Sequence, residues 1–463
     1  MLQSIRSRYI GDRAFYGRVM VIAVPIIIQN GITNFVSLLD NIMVGQVGTL
    51  PMSGVSIVNQ LMLVFNLCIF GASSGAGIFT AQFYGSGDQK GIQHTFRYKF
   101  LVCAALSVLG IGLFLIADRP LISLYLTGEG SPADAAVILD YGVRYLRIML
   151  VGLIPFALSG AYSGTLKETG ETFMPMVAGI AAVFTNLILN YVLIFGHFGA
   201  PQLGVEGAAW ATVISRYVEL LIVALWTHRN PQRNPFIVGA YKSMAVPGKL
   251  ALDITIKGMP LLVNEFFWSS GMAFLNQCYS TCGLDVLPAS NISMTLFNLT
   301  SVVFMSMGVA DGIIMGQMLG ASLPAPELRD SSRKLIFIST ISSIFFSLIM
   351  VVVSGFFPRL FNTTASVRLL AAQLIILTAI FMPFDAYVNA AYFILRSGGQ
   401  TYITFLFDSG FVWAVSVPLA YCLSRFAHFP ILPLYAACQA TYILKMSIGM
   451  FFLRSGKWIK NLT

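Results

Sequence analysis

Acidic residues inside long apolar stretches are the first candidates for chemistry in this sequence. Asp40 lies in the run Leu38-Leu39-Asp40-Asn41, and no basic residue lies within one helical turn of it. A charged group at the centre of a bilayer costs roughly 2.5–3.5 kcal/mol on insertion scales, so its presence needs a reason. An acid at a helix end that reaches water is the structural alternative. We favour a proton or ion site, because a desolvated carboxylate readily takes up a proton or a cation.

A second polar group lies further along the same half of the chain. Asn186 and Asn190 are four residues apart and share one face of a helix, and Thr212 lies in the next apolar run. Amides and hydroxyls can coordinate sodium or hold a protonated acid. They also serve as hydrogen bonds between helices, worth about 0.6 kcal/mol each. With Asp40 in the same half, we predict that these residues form an ion-coupling site.

The second half of the chain carries its own intramembrane acids. Glu265 lies five residues after Pro260, and Asp385 lies two residues after Pro383. For both acids we favour an ion or substrate site over a structural hydrogen bond. Asp311 lies in the cytoplasmic third of its apolar run, and its role stays open between function and structure.

Other charged residues in the apolar runs have simpler interpretations. Arg216 precedes Glu219 by three residues, a spacing at which the two charges neutralise each other on one helix face. Asp408 and Lys445 are candidates for a structural pair, with a functional role left open. Cys278 and Cys282 lie one turn apart without a histidine or acid cluster beside them, so we predict no metal site beyond sodium.

The elements that position these residues must be membrane helices. The chain has 463 residues, 57% of them apolar and 10% charged, with a mean hydropathy of +0.78. Soluble domains carry about 25% charged residues, so this composition excludes a soluble enzyme, a nucleic-acid binder and a disordered scaffold. Twelve apolar runs are long enough to span a bilayer. They are residues 16–43, 52–82, 97–117, 138–164, 173–196, 207–228, 253–281, 287–320, 335–357, 367–395, 402–424 and 434–453.

Proline inside a span removes a backbone hydrogen bond and favours a bend. Pro25, Pro155, Pro260, Pro383 and Pro418 all lie within the predicted spans. We single out Pro25 as a hinge in helix 1, because it lies on the same helix as Asp40.

The placement of lysine and arginine predicts the orientation. Twenty of the 28 basic residues lie in the two termini and in one alternating set of loops, and four lie in the opposite loops. Because basic residues concentrate on the cytoplasmic side, both termini are predicted to be cytoplasmic. The formal charge of +9 is therefore a topology signal and gives no reason to expect a nucleic-acid partner.

The two halves of the chain repeat each other. A fixed offset of 235 residues pairs Pro25 with Pro260, Gln82 with Gln317 and Gly85 with Gly320, without a gap. Each half has six predicted helices, so the repeats run in the same direction, which is a known transporter architecture with a substrate site between the halves. We predict an N-terminal lobe over 1–228, a cytoplasmic linker over 229–252 and a C-terminal lobe over 253–463.

An ordered set of motifs resembles the multidrug and toxic compound extrusion (MATE) family. The set covers nearly the whole chain, and its specificity lies in the order of the motifs because each motif alone is only weakly specific. It comprises Asp40-Asn-Ile-Met-Val-Gly45, Gln82-Phe-Tyr-Gly85, Leu166-Lys-Glu-Thr-Gly-Glu-Thr172, the segments 186–196 and 204–215, Gly316-Gln317-Met-Leu-Gly320 and the terminal segment 456–463.

The resemblance implies an all-α exporter of twelve helices in two six-helix lobes, which exchanges sodium or protons for organic cations by alternating access. Asp40 matches the helix 1 aspartate to which the family assigns ion coupling, and Asn186 and Thr212 match polar members of that cluster. At Asn190 some members carry an aspartate instead.

The coupling ion stays open between protons and sodium, with protons favoured. Asp385 stands eleven residues before Arg396, as does the corresponding aspartate of the sodium-coupled branch. Glu265, by contrast, lies closer to the helix 7 proline than that branch's glutamate does.

We expect small organic, amphipathic cations such as drugs as substrates, membrane lipid as surroundings, and no cofactor besides H+ or Na+. We also expect a monomer in the plasma membrane, of bacterial inner-membrane type. The alternative is a lipid-linked saccharide flippase of the same superfamily, which would need basic residues in its cavity to bind pyrophosphate. A membrane-embedded enzyme would need convergent catalytic residues or metal ligands, and we identify none.

Overall fold

The computed structural model describes residues 9–126 and 131–463, and in these ranges α-helices dominate. The first helices are α1 (Arg13–Gly45), α2 (Thr49–Ser86), α3 (Gln89–Ser123), α4 (Pro132–Val151), α5 (Leu153–Glu168), α6 (Phe173–Phe195) and α7 (Val205–Arg229). They are followed by α8 (Gly248–Ser280), α9 (Val286–Gly320), α10 (Ala325–Val353), α11 (Ala365–Ser397), α12 (Thr401–Arg425) and α13 (Ile431–Ser455).

These helices account for the twelve predicted spans. In the described part of the chain, 10 helices are individually long and apolar enough to cross a membrane. The other two crossings are α8, which carries Lys249, Asp253 and Lys257 near its start, and the pair α4 and α5, which together cover the predicted run 138–164. The prediction of an all-helical chain with twelve spans is confirmed.

The fourth span is broken where a single helix was expected. Gly152 separates α4 from α5, and Pro155 follows three residues later. Because Pro155 has no N–H, the carbonyl of Val151 loses its donor in the helical ladder. The Tyr217 hydroxyl donates to that carbonyl at 3.3 Å and so compensates it. The apolar composition of residues 138–164 predicts a membrane crossing. The break at Gly152 depends in addition on Tyr217 of α7, which a reading of this segment alone does not reveal.

The eleventh crossing, α12, departs from regular α-geometry before Pro418. Residues Leu406–Gly410 and Val412–Ser416 are π-helical, and Val417–Arg425 returns to α-helix. Pro418 cannot donate to the carbonyl four residues before it, which favours wider turns in that stretch. The π-helical stretch contains Asp408 and Ser409.

The described chain forms two compact units. The first covers residues 28–80 and 89–255, and the second covers 9–27, 81–88 and 256–463. The predicted lobe boundaries at 228 and 253 stay a prediction. In the first unit α6 pairs with α7, and α5 packs on both α3 and α7. Its apolar core includes Val58, Ile122 and Leu146, which are fully buried.

Residues 230–247 of the predicted linker are anchored within the first unit. The buried Arg97 of α3 donates from Nε to the Ala240 carbonyl at 2.7 Å and from Nη2 to the Gly239 carbonyl at 3.0 Å. One turn earlier, Gln93 donates to the carbonyls of Phe236 and Val238 at 2.9 and 2.8 Å. Side chains of α3 thus supply hydrogen-bond donors to four carbonyls of this irregular segment.

The second unit is organised around α11. This helix packs against α9, α10 and α13, and its buried residues include Leu374, Ala379 and Ile394. The end of α2 also belongs to this unit. There the fully buried Gln82 donates to the Ser397 carbonyl at 2.8 Å and accepts from the Leu462 N–H at 2.7 Å. The end of α2 and the C-terminal segment are thereby joined.

Small residues let α2 and α9 approach closely inside this second unit. A Cβ atom at Gly320 would overlap the Gln82 backbone, and one at Gly85 would overlap the Gln317 backbone. Gly316 faces Ala81 one turn away. Small residues at four-residue spacing on both helices are a common means of close packing between membrane helices.

We predict that Gly320→Leu lowers the thermal unfolding temperature of the purified protein. The added side chain has no space against the Gln82 backbone, and overpacking of this kind costs about 1–3 kcal/mol or more.

Gly112→Leu is the matched control, because no heavy atom lies within 4 Å of a Cβ atom at Gly112. Equal unfolding temperatures for the two variants, measured in the same detergent, would contradict the close α2–α9 contact.

Candidate functional site

The four residues predicted to form an ion-coupling site lie together in the first unit. Asn190 on α6 donates from Nδ2 to Oδ1 of Asp40 on α1. Asn186, one turn earlier on α6, lies within 3.2 Å of both Asn190 and Thr212 on α7. Asn186 and Asn190 are 7% and 1% exposed, so three helices enclose one hydrogen-bonded cluster.

The orientation of the Asn186 amide decides whether a hydrogen-bond donor or an acceptor of this residue faces Asp40. With Nδ2 turned towards the acid, Asn186 donates to both carboxylate oxygens at 2.9 Å. Its oxygen then accepts from the Thr212 hydroxyl at 3.2 Å and from the Thr212 N–H at 3.3 Å. This orientation gives the Asn186 nitrogen two acceptor atoms and its oxygen two donors, and a buried amide requires such partners. Asn190 Nδ2 then lies 3.2 Å from the Asn186 nitrogen and donates to Asp40 instead of Asn186. Two amide groups therefore donate to the Asp40 carboxylate.

The cluster also retains one unpaired acceptor. Asn190 Oδ1 is buried and has no hydrogen-bond partner among the described residues. If the Asn190 amide rotated by half a turn, this oxygen would face Asp40 and could accept a hydrogen bond from a protonated carboxyl group. The same residue can thus serve the ionised and the protonated form of Asp40.

Asp40 is absent from the ion pairs of the described chain. Arg216 interacts with it electrostatically but forms its own ion pair with Glu219 at 3.4 Å and stacks over Phe156 at 4.8 Å. The buried Tyr145 also interacts electrostatically with Asp40. Sequence reasoning assigned Arg216 only to Glu219 and missed Tyr145, because neither lies near Asp40 along the chain.

In the second unit, an ion pair connects α12 with α13. Lys445 donates to Asp408 Oδ1 at 2.6 Å, and Asn264 on α8 donates to Asp408 Oδ2 at 3.1 Å. The Asn264 oxygen accepts from the Ser409 hydroxyl at 2.7 Å. The two charged side chains are 6% and 19% exposed for Lys445 and Asp408. Sequence reasoning missed Asn264, which carries no charge and no distinctive spacing.

Glu265 and Asp385 belong to the same electrostatic cluster. Glu265 interacts with Arg396 and Asp408, and Asp385 interacts with Lys445 and Asp408. The structure therefore brings together three acids and two cations from four helices. With all five groups ionised, the cluster carries one carboxylate in excess.

Asp385 also lines a cavity of about 190 Å³. Its lining combines aromatic side chains with polar ones such as Asn276 and Gln439, and Lys445 is among the lining residues. The aromatic lining comprises Trp268, Tyr279, Phe297, Phe381, Phe411, Tyr435 and Tyr442. Aromatic faces next to a carboxylate form an environment that favours organic cations.

Asp311 stands apart from both clusters. It is fully buried on α9, accepts from the Ser339 hydroxyl at 2.8 Å, and has its second oxygen without a hydrogen-bond partner among the described residues. Pro25 is also separate, within a stretch of α1 that stays helical from Arg13 to Gly45. The roles of both residues stay predictions, as do those of the other candidate residues.

Most of the chain matches one known protein family. The family model described as MatE matches the chain twice, over residues 25–192 and 260–422. One model thus describes both halves, beginning at Pro25 and Pro260, the two prolines that the sequence repeat pairs.

Relatives match along nearly the full chain. A probable multidrug resistance protein NorM of Thermotoga maritima is 25% identical over 449 residues, covering 95% of this chain and 92% of its own length. The multidrug resistance protein MdtK of Edwardsiella ictaluri is 25% identical over 409 residues, covering 88% of this chain and 87% of its own.

Solved structures share the fold. An outward-facing multidrug resistance MATE family transporter of the MOP superfamily superposes with a TM-score of 0.85 at 17% identity, covering 95% and 96% of the two chains. A MOP superfamily transporter from Pyrococcus furiosus, described with a binding pocket of reverse polarity, gives 0.84 at 17% identity, with 97% of both chains covered.

For the α12–α13 ion pair we predict that Asp408→Asn strongly destabilises the protein. The variant leaves the buried Lys445 without a carboxylate, and breaking a buried pair on one side costs about 3–5 kcal/mol. The double variant Asp408→Asn/Lys445→Met removes both charges and should recover part of the lost unfolding temperature.

The control is Asp140→Asn, which removes a partner of Arg144 at the surface and should change stability by less than about 1 kcal/mol. A double variant no more stable than Asp408→Asn would show that Lys445 does not depend on this carboxylate.

Proposed function

The chain belongs to the MatE family, and from that membership we propose that it is a secondary antiporter exporting organic, amphipathic cations such as drugs by alternating access. It is a multi-pass membrane transporter of small molecules, as its apolar helices and its family indicate. Beyond this general role, we propose a cationic substrate, a coupling ion and the residues that couple the two.

We assign ion coupling to Asp40. The observation that carries this assignment is that its carboxylate is held by the amides of Asn186 and Asn190 and takes part in no ion pair of the described chain. A carboxylate locked to a lysine or arginine would remain ionised through the cycle. One that is held by neutral amides can change its protonation state without leaving a buried cation unpaired.

The donor pattern supports protons over sodium as the coupling ion. Sodium is coordinated by oxygen atoms, whereas the amide nitrogens of Asn186 and Asn190 face Asp40. Among the four residues of this cluster, Asp40 is the one acid. A single carboxyl group is sufficient for a proton.

The coupling follows from linkage. A ligand shifts the equilibrium between inward-facing and outward-facing states only through its different affinity for the two states. If a proton on Asp40 and a bound organic cation weaken each other's binding, protons entering from outside promote release of the cation there. A bend of α1 at Pro25 is our candidate for the movement that transmits the change.

The second unit supplies a candidate site for the organic cation. Seven aromatic side chains are among the residues that line the cavity beside Asp385, and the surrounding charge cluster has one more acid than cation. A bound organic cation would supply the missing positive charge. The volume of about 190 Å³ is below the range typical of drug-sized pockets, so a large substrate requires the cavity to widen.

The flippase alternative lacks support from the basic residues in the spans. Arg144 pairs with Asp140 and Glu206, and Arg147 pairs with Asp118. Arg216 pairs with Glu219, and Lys445 pairs with Asp408. Each cation already has an acidic partner, which is unfavourable for binding a pyrophosphate.

We further propose that the protein is a monomer in a bacterial inner membrane, with both termini in the cytoplasm. The excess of basic residues on one alternating set of loops supports this orientation.

Asp40→Asn is predicted to abolish the resistance that the wild-type chain confers on a pump-deficient host exposed to cationic dyes. The substitution keeps the shape of the side chain and removes its titration. Expression and unfolding temperature should stay close to wild type, because an amide can still hydrogen-bond with Asn186 and Asn190.

The matched control is Asp253→Asn, which changes an exposed acid near the start of α8 and should preserve resistance. Full resistance in the Asp40→Asn variant would remove Asp40 from the mechanism.

Ethidium efflux from proteoliposomes distinguishes the coupling ions. We predict that a pH gradient imposed at equal sodium concentrations drives efflux, and that a sodium gradient imposed at equal pH does not. Efflux driven by sodium alone would overturn proton coupling while leaving the export function intact.

A further inference from the structure

A second cavity, of about 310 Å³, lies near one end of the unit that contains α10, α11 and α13. Both α10 and α13 pack on α11, and the cavity lies between the first turns of α10 and the last turns of α13. Tyr387 of α11 contributes to its lining, and Tyr9 approaches Phe337 with ring centroids 6.0 Å apart.

Three arginines form the outer part of the cavity. Arg329 and Arg333 lie one turn apart on α10, and Arg454 lies in the last turn of α13. All three are exposed, and none has a salt-bridge partner in the described chain. The neighbouring acid Asp330 is already paired with Lys334 at 2.5 Å. The outer part therefore carries three positive charges without a lining acid.

The inner part of the cavity is mainly apolar, with Ser332 and Thr340 as its hydroxyl side chains on α10. One helical turn beyond Arg333, the α10 wall continues with Ile336 and Phe337. One turn before the end of α13, its wall consists of Met450 and Leu453. With a rise of about 1.5 Å per residue, charge gives way to apolar surface within about 6 Å along both helices. A ligand that fits both parts must be an amphiphile with an anionic head.

We propose that this cavity binds the phosphate headgroup of an anionic phospholipid, with the start of its acyl chains against Ile336, Phe337, Met450 and Leu453. Basic pockets between membrane helices on the cytoplasmic side are typical headgroup sites. The arginines belong to the loop and tail that the charge distribution predicts to be cytoplasmic. Guanidinium groups also match phosphate oxygens in geometry.

Other occupants fit less well. A soluble phosphate would use the arginines but leave the apolar walls in contact with water. Residues 1–8 of this chain lie outside the described residues. By sequence, that segment carries Arg6 and Arg8 and no acid, so it cannot neutralise the three arginines. An anionic lipid satisfies both the charge and the apolar surface.

The test compares lipid binding by the full-length protein and its Arg329→Gln/Arg333→Gln variant. Native mass spectrometry in detergent counts bound phosphatidylglycerol, and the shift in unfolding temperature is followed as phosphatidylglycerol or phosphatidylcholine is titrated. Wild type should retain phosphatidylglycerol and be stabilised by it, and phosphatidylcholine should have less effect. Loss of each arginine should weaken binding about fivefold. The single variant Arg333→Gln provides the test if the double variant is unstable.

The matched control is Lys242→Gln/Lys249→Gln, which removes two exposed basic residues of the other unit and should leave phosphatidylglycerol binding unchanged. Inorganic phosphate and glycerol 3-phosphate separate the sources of the anion. Equal stabilisation by these soluble anions would overturn a lipid site, as would wild-type binding of phosphatidylglycerol by the arginine variants. A similar loss in the lysine control would show that total charge, and not the cavity, governs binding.

Discussion

Each ionisable group inside a membrane must be compensated, and Asp40 is compensated by neutral side chains and not by a basic residue. Lys445 is balanced by Asp408 and Arg216 by Glu219, so removing either charge leaves its partner exposed to a poorly solvating environment. Asp40 is instead held by neutral amides. The cluster around Glu265 and Asp385 contains both kinds of compensation, because Asp408 pairs with Lys445 and also accepts a hydrogen bond from the Asn264 amide. This cluster has three carboxylates and two cations.

The fold supplies this environment through ordinary helix packing. Asn186 and Asn190 meet Asp40 because they are four residues apart on α6, whose partner α7 brings Thr212 to the same level. Where the helices depart from regular geometry, a proline is near. Gly152 and Pro155 break the fourth span, and the π-helical stretch that contains Asp408 precedes Pro418. Close contacts such as that of Gly320 with α2 depend on the absence of a side chain.

The sequence predicts the membrane-spanning helices well, whereas it predicts only some of the side-chain contacts between them. Hydropathy identifies all twelve spans because the bilayer imposes a length and a polarity on each. The cluster around Asp40 is also predictable, since Asn186 and Asn190 are polar residues at helical spacing in otherwise apolar runs. Asn264 and Tyr145 are not predictable, because their contacts join helices distant along the chain. The Gly152 break likewise depends on Tyr217 of another helix, and the Arg97 contacts with the linker give no periodic signal.

We propose that protonation of Asp40 and binding of an organic cation oppose each other. Proton release on binding of tetraphenylphosphonium tests it most directly, measured over a pH series with a pH indicator in weakly buffered detergent solution. We expect wild type to release protons when the cation binds, and Asp40→Asn to bind the cation with little or no release. Binding without proton release in wild type, or equal release by both proteins, would show that the two events are not opposed through Asp40.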